Sequence, residues 1–244
     1  MKWDKYVIIA VFGAIAVSVY QESRQSGISL LPPDPVAPNW AAIASWPSLQ
    51  SDVVEAQPDP NRRVTAIVLD DSGSMGGDMD AAKSAVVGAL EAMDDKDRVA
   101  VIALNAGSVL PFSTVQDAKS SLPDLLQPIS SDGGTPLTTA ILTAQSQLET
   151  EAAAARGFGT FRLIVTTDGQ ADDGEALNTA IEALAASTPI QVTTIGIGVG
   201  GGHVLRREDL GSFVDVANVD ALQDALQAAV AENTAFTAIT DFEG

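Results

Sequence analysis

Two stretches of the chain, RVTAIVLD (63–70) and TFRLIVTTD (160–168), are apolar almost throughout and end on an aspartate. A strand with one wet face alternates apolar and polar residues. A strand without that alternation is buried on both faces, which is the habit of parallel sheets covered by helices on each side. RVAVIALN (98–105) reads the same way. SVLPFST (108–114) is shorter, and Pro111 marks it for a sheet edge because proline cannot donate to a ladder. IQVTTIGIGV (190–199) and GSFVDVAN (211–218) complete a set of six. Helical spacing fills the gaps. From Asp78 onward, Met79, Ala82, Val86, Ala89, Leu90 and Met93 fall on one stripe. Residues 135–155, with Pro136 near the first turn, offer Leu137, Ala140, Ile141, Ala144 and Leu148. Segments 173–187 and 219–233 read as further helices, and DAKSSLPDLLQPI as one or two short turns broken by Pro123 and Pro128. The alternation predicts an α/β fold: a doubly wound, mainly parallel six-stranded sheet with helices on both faces.

The flanks differ in character. Lys2 and Lys5 precede a charge-free stretch from Tyr6 to Tyr20, bordered by Trp3, Tyr6 and Tyr20. Leading lysines with interfacial aromatics read as a targeting helix, with the lysines kept inside and the rest of the chain carried across a membrane. The reading adopted is an uncleaved signal-anchor over 1–25; the small residues of AVS (16–18) offer cleavage, and so secretion, as the alternative. Seven of the twelve prolines lie between Pro32 and Pro60, so residues 26–61 read as an extended stalk. Within it, NWAAIASWPSL suggests a short helix that docks through Trp40 and Trp46, most simply on the chain's own domain. The folded domain is expected over 62–234 and a tail over 235–244. A membrane-anchored protein with an extracytoplasmic domain follows.

Composition removes whole classes of function. Without cysteine there are no disulfides, thiolate nucleophiles or Cys-based metal centres. A net charge of −19 with scattered cations argues against nucleic acid. The single histidine, His203, cannot build a multi-histidine metal site and is read as a surface-loop residue.

What remains is oxygen chemistry. In VLDDSGSMGG (68–77), Asp70, Ser72 and Ser74 are spaced by two, which turns alternate side chains of an extended loop toward one point. Doubly wound sheets bind ligands beyond the carboxyl ends of their strands, where the strand order reverses. Asp70 and Asp168 end two strands expected to be neighbours there, and Thr135 in SDGGTPL opens a helix on the same edge. Two carboxylates and three hydroxyls suit a hard cation such as Mg²⁺ without overcharging it. Asp71, Asp132, Asp172 and Asp173 read instead as solvated loop or turn acids, and Asp78 as the cap of the following helix.

DDSGS, the threonine of GGTPL and the aspartate of TDG together resemble the von Willebrand factor type A domain family over roughly residues 61–233. The resemblance implies a metal-ion-dependent adhesion site with Asp70, Ser72, Ser74, Thr135 and Asp168 as ligands to Mg²⁺ (or Mn²⁺ or Ca²⁺). It further implies a protein partner that offers an Asp or Glu carboxylate to the metal; no enzymatic activity is expected, since the motifs of the enzyme classes considered are missing. An assembly or chaperone-like component of a membrane-associated complex is the alternative, and a metal-dependent hydrolase a weaker one. DSGSMGG lacks the G-x-S-x-G nucleophile elbow, the position two after Asp70 is serine rather than the aspartate of a phosphatase, and no phosphate loop of the G-x-x-x-x-G-K-[ST] kind is present.

Overall fold

The computed structural model describes residues 35–49 and 59–231. The charge-free segment 6–20 and the tail 235–244 lie outside the described residues. Among the described residues no helix is long and apolar enough to cross a membrane.

Six strands form one sheet in the order β3-β2-β1-β4-β5-β6. They are β1 (Arg63–Leu69), β2 (Arg98–Ala103), β3 (Gly107–Thr114), β4 (Thr160–Thr167), β5 (Gln191–Ile197) and β6 (Ser212–Val216). Every pairing is parallel except β2 with β3, where a tight connection forces the chain to reverse. Pro111 does lie on an edge strand. The central pair, β1 and β4, is buried from end to end apart from the first residue of each.

Alternation along β1 feeds two cores. Ile67 and Leu69 pack with α2 (Met79–Ala89), α3 (Val115–Leu126) and α6 (Leu222–Ala231). Val64, Ala66 and Val68 pack on the opposite face with α4 (Leu137–Ala154) and α5 (Gly174–Ser187). This is the period-two geometry of a strand between two helical layers. All five apolar positions expected on the 135–155 helix are buried in α4. One tight contact needs a glycine: Gly211 has φ 141°, and a Cβ there would come within 2.3 Å of the Val192 carbonyl.

α3 departs from the sequence-based expectation. It runs unbroken for 12 residues through Pro123. A proline inside a helix forfeits one backbone bond and crowds the carbonyl four residues back. Here Val115, Ala118, Leu122 and Leu126 form a buried stripe that offsets that loss, and Thr114 caps the start by accepting from the Asp117 amide at 3.1 Å.

Residues 36–48 do not run free of the domain. The Val36 amide donates to Asp209 (2.9 Å), the Asn39 amide to the Ala186 carbonyl (2.7 Å), and Ser48 to Glu149. A five-residue helix, α1 (Trp40–Ala44), is capped by Asn39. Trp46 then meets Phe161 edge-on, ring centroids 4.9 Å apart, and joins the α4–α5 core. The docking expected of the tryptophans falls to Trp46, because Trp40 stays 71% exposed.

Replacing Trp46 by alanine removes a half-buried aromatic pair and should cost about 1–2 kcal/mol. Trp40→Ala should change stability by less than about 0.5 kcal/mol. Urea unfolding of both variants checks the contrast.

Candidate functional site

The strand order reverses between β1 and β4, and the residues that leave those strands, Asp70 and Asp168, sit side by side there. Asp70 is fully buried. One of its oxygens accepts from the Ser72 amide (2.9 Å) and the other from the Asp168 amide (3.2 Å). Its own amide donates to Thr166 Oγ1 (3.1 Å), whose hydroxyl donates to the Val68 carbonyl (3.2 Å). The carboxylate therefore holds the first turn of its own loop and the exit of the neighbouring strand at once.

Side chains continue the chain of contacts. Ser72 Oγ lies 3.0 Å from Ser74 Oγ, and Ser74 Oγ donates to Asp168 Oδ1 at 2.7 Å. Ser72 precedes a 3₁₀ turn, Gly73–Asp78, without making a capping bond. Asp78, expected as the cap of α2, makes none either, because the 3₁₀ turn runs directly into the helix. Capping therefore accounts for neither serine. Met75, buried at the middle of the turn, pins the loop into the core, and Gly76 at φ 41° takes the bend that a side chain would resist.

Thr135 reaches the same place through its backbone. The Gly73 amide donates to the Gly133 carbonyl (3.1 Å), the Asp132 amide to the Asp71 carbonyl (2.9 Å), and the Asp172 amide to the Thr135 carbonyl (3.1 Å). Three loops, after β1, before α4 and after β4, are stitched together by those bonds. The structure thus joins Asp70, Ser72, Ser74 and Asp168 by direct hydrogen bonds, and backbone bonds tie the loop of Thr135, itself buried, to theirs.

Sequence reasoning misplaced two neighbours, Asp71 and His203. Asp71 is no solvated loop acid. It is buried and accepts from the Asn105 amide (2.7 Å), Asn105 Nδ2 (3.2 Å) and the Ala106 amide (3.0 Å). Asp173 is a helix cap, accepting from the Ala176 amide. Asp172 is exposed but lies against Gly134, where a Cβ would come within 2.4 Å of its carboxylate. His203 is buried rather than on the surface. Its Nδ1 accepts from the Leu205 amide (3.1 Å), so Nε2 carries the proton and donates to the Gly169 carbonyl (3.0 Å). Both ring nitrogens are thereby committed, which leaves no histidine base for a serine nucleophile. Asn105 was missed altogether; a single polar residue after a strand carries no signal of its own.

Electrostatics sharpen the picture. Burial, foremost, and the nearby Asp168 charge push the Asp70 carboxyl above its ordinary range, against the pull of its hydrogen bonds to Ser72 and Asp168. Among the described residues no lysine or arginine pairs with Asp70, Asp71 or Asp168. Nor do three or more His, Asp or Glu side chains among them come together in a group that could by itself hold a metal ion. The donor set at this edge is two carboxylates extended by hydroxyls.

Residues 66–243 match the von Willebrand factor type A domain family, and the chain belongs to it. No curated protein matches the chain. Among solved structures it is similar to a von Willebrand factor type A protein from Catenulispora acidiphila (21% identity, TM-score 0.60, covering 70% of this chain and 42% of that one). It is also similar to the manganese-loaded TRAP protein of Plasmodium vivax (16%, TM-score 0.51, 70% and 75%). A third is the pilus adhesin SpaC of Lactobacillus rhamnosus GG in its open conformation (12%, TM-score 0.55, 74% and 30%). At these identities the likeness is one of fold, and the chain spans less than half the length of the first and the third.

Burial lowers the proton affinity of His203, with the Arg206 charge adding to the effect and the Gly169 bond opposing it. A histidine whose folded value is depressed adds stability above its unfolded value of about 6.5, and that stability is lost as pH falls toward the folded value. His203→Gln should therefore lose less melting temperature than wild type between pH 7.5 and 5.5, as thermal unfolding at the two pH values reads directly.

Proposed function

We propose that this edge of the sheet holds a divalent cation, Mg²⁺ (or Mn²⁺ or Ca²⁺), through Asp70, Ser72, Ser74, Thr135 and Asp168. There the chain captures an Asp or Glu carboxylate of a protein partner, as a binding module rather than an enzyme. One observation carries the reading. Asp70 is a carboxylate with no solvent exposure, bonded beside a second carboxylate, without a cationic side chain among the described residues to balance it. Burying such a charge unpaired is costly, and a bound cation offsets the cost.

The spacing of the oxygens supports the same conclusion. Adjacent corners of a Mg²⁺ octahedron lie about 2.9 Å apart for metal–oxygen distances of about 2.0–2.1 Å. The Ser72–Ser74 and Ser74–Asp168 oxygens are 3.0 and 2.7 Å apart. When bound, the cation supplies a Lewis-acidic position for an incoming carboxylate oxygen. The chain's own part is to set that position. Asp70 fixes the two loops to each other, the serine hydroxyls add donors without adding charge, and the glycines at 133 and 134 let the Thr135 loop pack against Asn105 and Asp172. Against catalysis stand the two committed nitrogens of His203 and the absence of a nucleophile elbow. A manganese-loaded protein and a pilus adhesin share the fold, which makes Mn²⁺ a natural probe and adhesion a natural setting.

The proposal includes a membrane tether through residues 6–20, with the domain extracytoplasmic. A reporter fused after Gly244 tests the side, and a cytoplasmic result removes the tether from the proposal.

Because Asp70 binds its proton more tightly when folded, the cation-free fold loses stability as pH rises from the ordinary carboxylate range through the raised folded value. Above that folded value the cost is fully present. Saturating Mg²⁺ or Mn²⁺ at ten times Kd should add roughly 1.4 kcal/mol, or about 3–6 °C in melting temperature. Asp70→Asn should remain folded in chelator and lose this response, and a wild-type melting temperature indifferent to both ions would sink the reading. On the partner side, Mg²⁺-dependent capture that chelator reverses and Asp70→Ala abolishes is the expected result; capture unaffected by chelator would remove the carboxylate mechanism.

A further inference from the structure

Resting on the cation-site reading, we propose that Asn105 is a positioning residue for Thr135, acting from outside the ligand set and held in place by Asp71. Asn105 lies just beyond β2, on the far side of the loop that carries Asp70. Asp71 grips it twice, once through the Asn105 amide (2.7 Å) and once through Nδ2 (3.2 Å), and holds the Ala106 amide with its other oxygen (3.0 Å). So oriented, Nδ2 donates to the Gly134 carbonyl at 3.0 Å. That carbonyl belongs to the peptide plane that enters Thr135. On the far side of the residue, the Thr135 carbonyl accepts from the Leu137 amide (2.8 Å) and the Asp172 amide (3.1 Å). Thr135 is thus set between two tethered peptide planes, one held by a side chain from the turn after β2 and one by the loop after β4.

The double glycine fits the same reading. Gly133, at φ 77°, lies so close to Asn105 that a Cβ would come within 2.5 Å of its Oδ1, and Gly134 is pressed as closely by Asp172. Two glycines let the Thr135 loop slide between these side chains. An amide is the group the position requires: its carbonyl oxygen faces Gly133, while its NH₂ reaches both an acidic acceptor and a backbone acceptor. Asp71 supplies the fixed point, since a buried carboxylate with three donors has nowhere else to turn.

Side chains that orient a ligand from behind typically change metal affinity by about 10–100-fold when removed. The test is a Mn²⁺ titration of wild type, Asn105→Ala, Asn105→Leu, Thr135→Ala and the Asn105→Ala/Thr135→Ala double variant, with melting temperatures in chelator as the measure of folding. Both Asn105 variants should bind Mn²⁺ about tenfold or more weakly while melting close to wild type in chelator. In the Thr135→Ala background the Asn105→Ala change should cost little further affinity, because its effect passes through Thr135. Wild-type affinity in the folded Asn105 variants, or losses that simply multiply in the double variant, would overturn this inference and leave the cation site standing. A wild-type chain that binds no Mn²⁺ overturns both. Should Asn105→Ala prove unfolded, Asn105→Leu, which keeps the size and removes the donor without adding charge, decides the matter.

Discussion

The Asp70 carboxylate is the constraint around which this edge of the molecule is organised. It is removed from water at the one place in the sheet where neighbouring connections leave in opposite directions, and its two oxygens are divided between two loops. A buried carboxylate must be given donors or a counter-charge. The backbone supplies the donors through Ser72 and Asp168, and in doing so it fixes where the Ser72, Ser74 and Asp168 oxygens stand. The counter-charge is not supplied by any described lysine or arginine. That imbalance distinguishes the site from the paired acids elsewhere, such as Asp97 with Arg63 or Glu151 with Arg98.

The scaffold beneath is stiff for ordinary reasons. Each central strand sends alternate side chains into two separate cores, so β1 and β4 cannot shift register without exposing both. The loops above gain rigidity from specific bonds instead. Met75 anchors the first loop, Asn105 and Asp172 flank the second, and His203 holds the third by the Gly169 carbonyl. Two of these four, Asn105 and His203, are polar side chains spent on backbone groups. This is how an irregular segment keeps a defined shape without regular secondary structure.

The overall acidity of the chain fits a site that attracts a cation more comfortably than one that attracts a carboxylate. Over distances beyond the Debye length of about 8 Å at physiological salt the charge of −19 is largely screened. Capture of an acidic group would then rest on the local field of a bound cation and on the short reach of the hydroxyl-lined edge.

Apolar runs without alternation, ending in aspartate, were enough to predict a two-sided parallel sheet, its edge strand at Pro111 and the buried stripe of α4, because periodicity and burial are local properties of the chain. The two aspartates at adjacent strand ends were legible for the same reason. Pro123 misled, since the break it suggests depends on how strongly the stripe from Val115 to Leu126 is gripped by the sheet. Asp71 and His203 misled because burial of a polar group is decided by what packs over it: Asn105 lies 34 residues from Asp71, and Gly169 lies 34 residues from His203. Sequence alone determined the fold class and which oxygens stand at the strand ends. Only the tertiary structure decided which acids are buried, which are capped and which are left without a counter-charge, because hydrogen-bond partners brought together by folding have no fixed spacing along the chain.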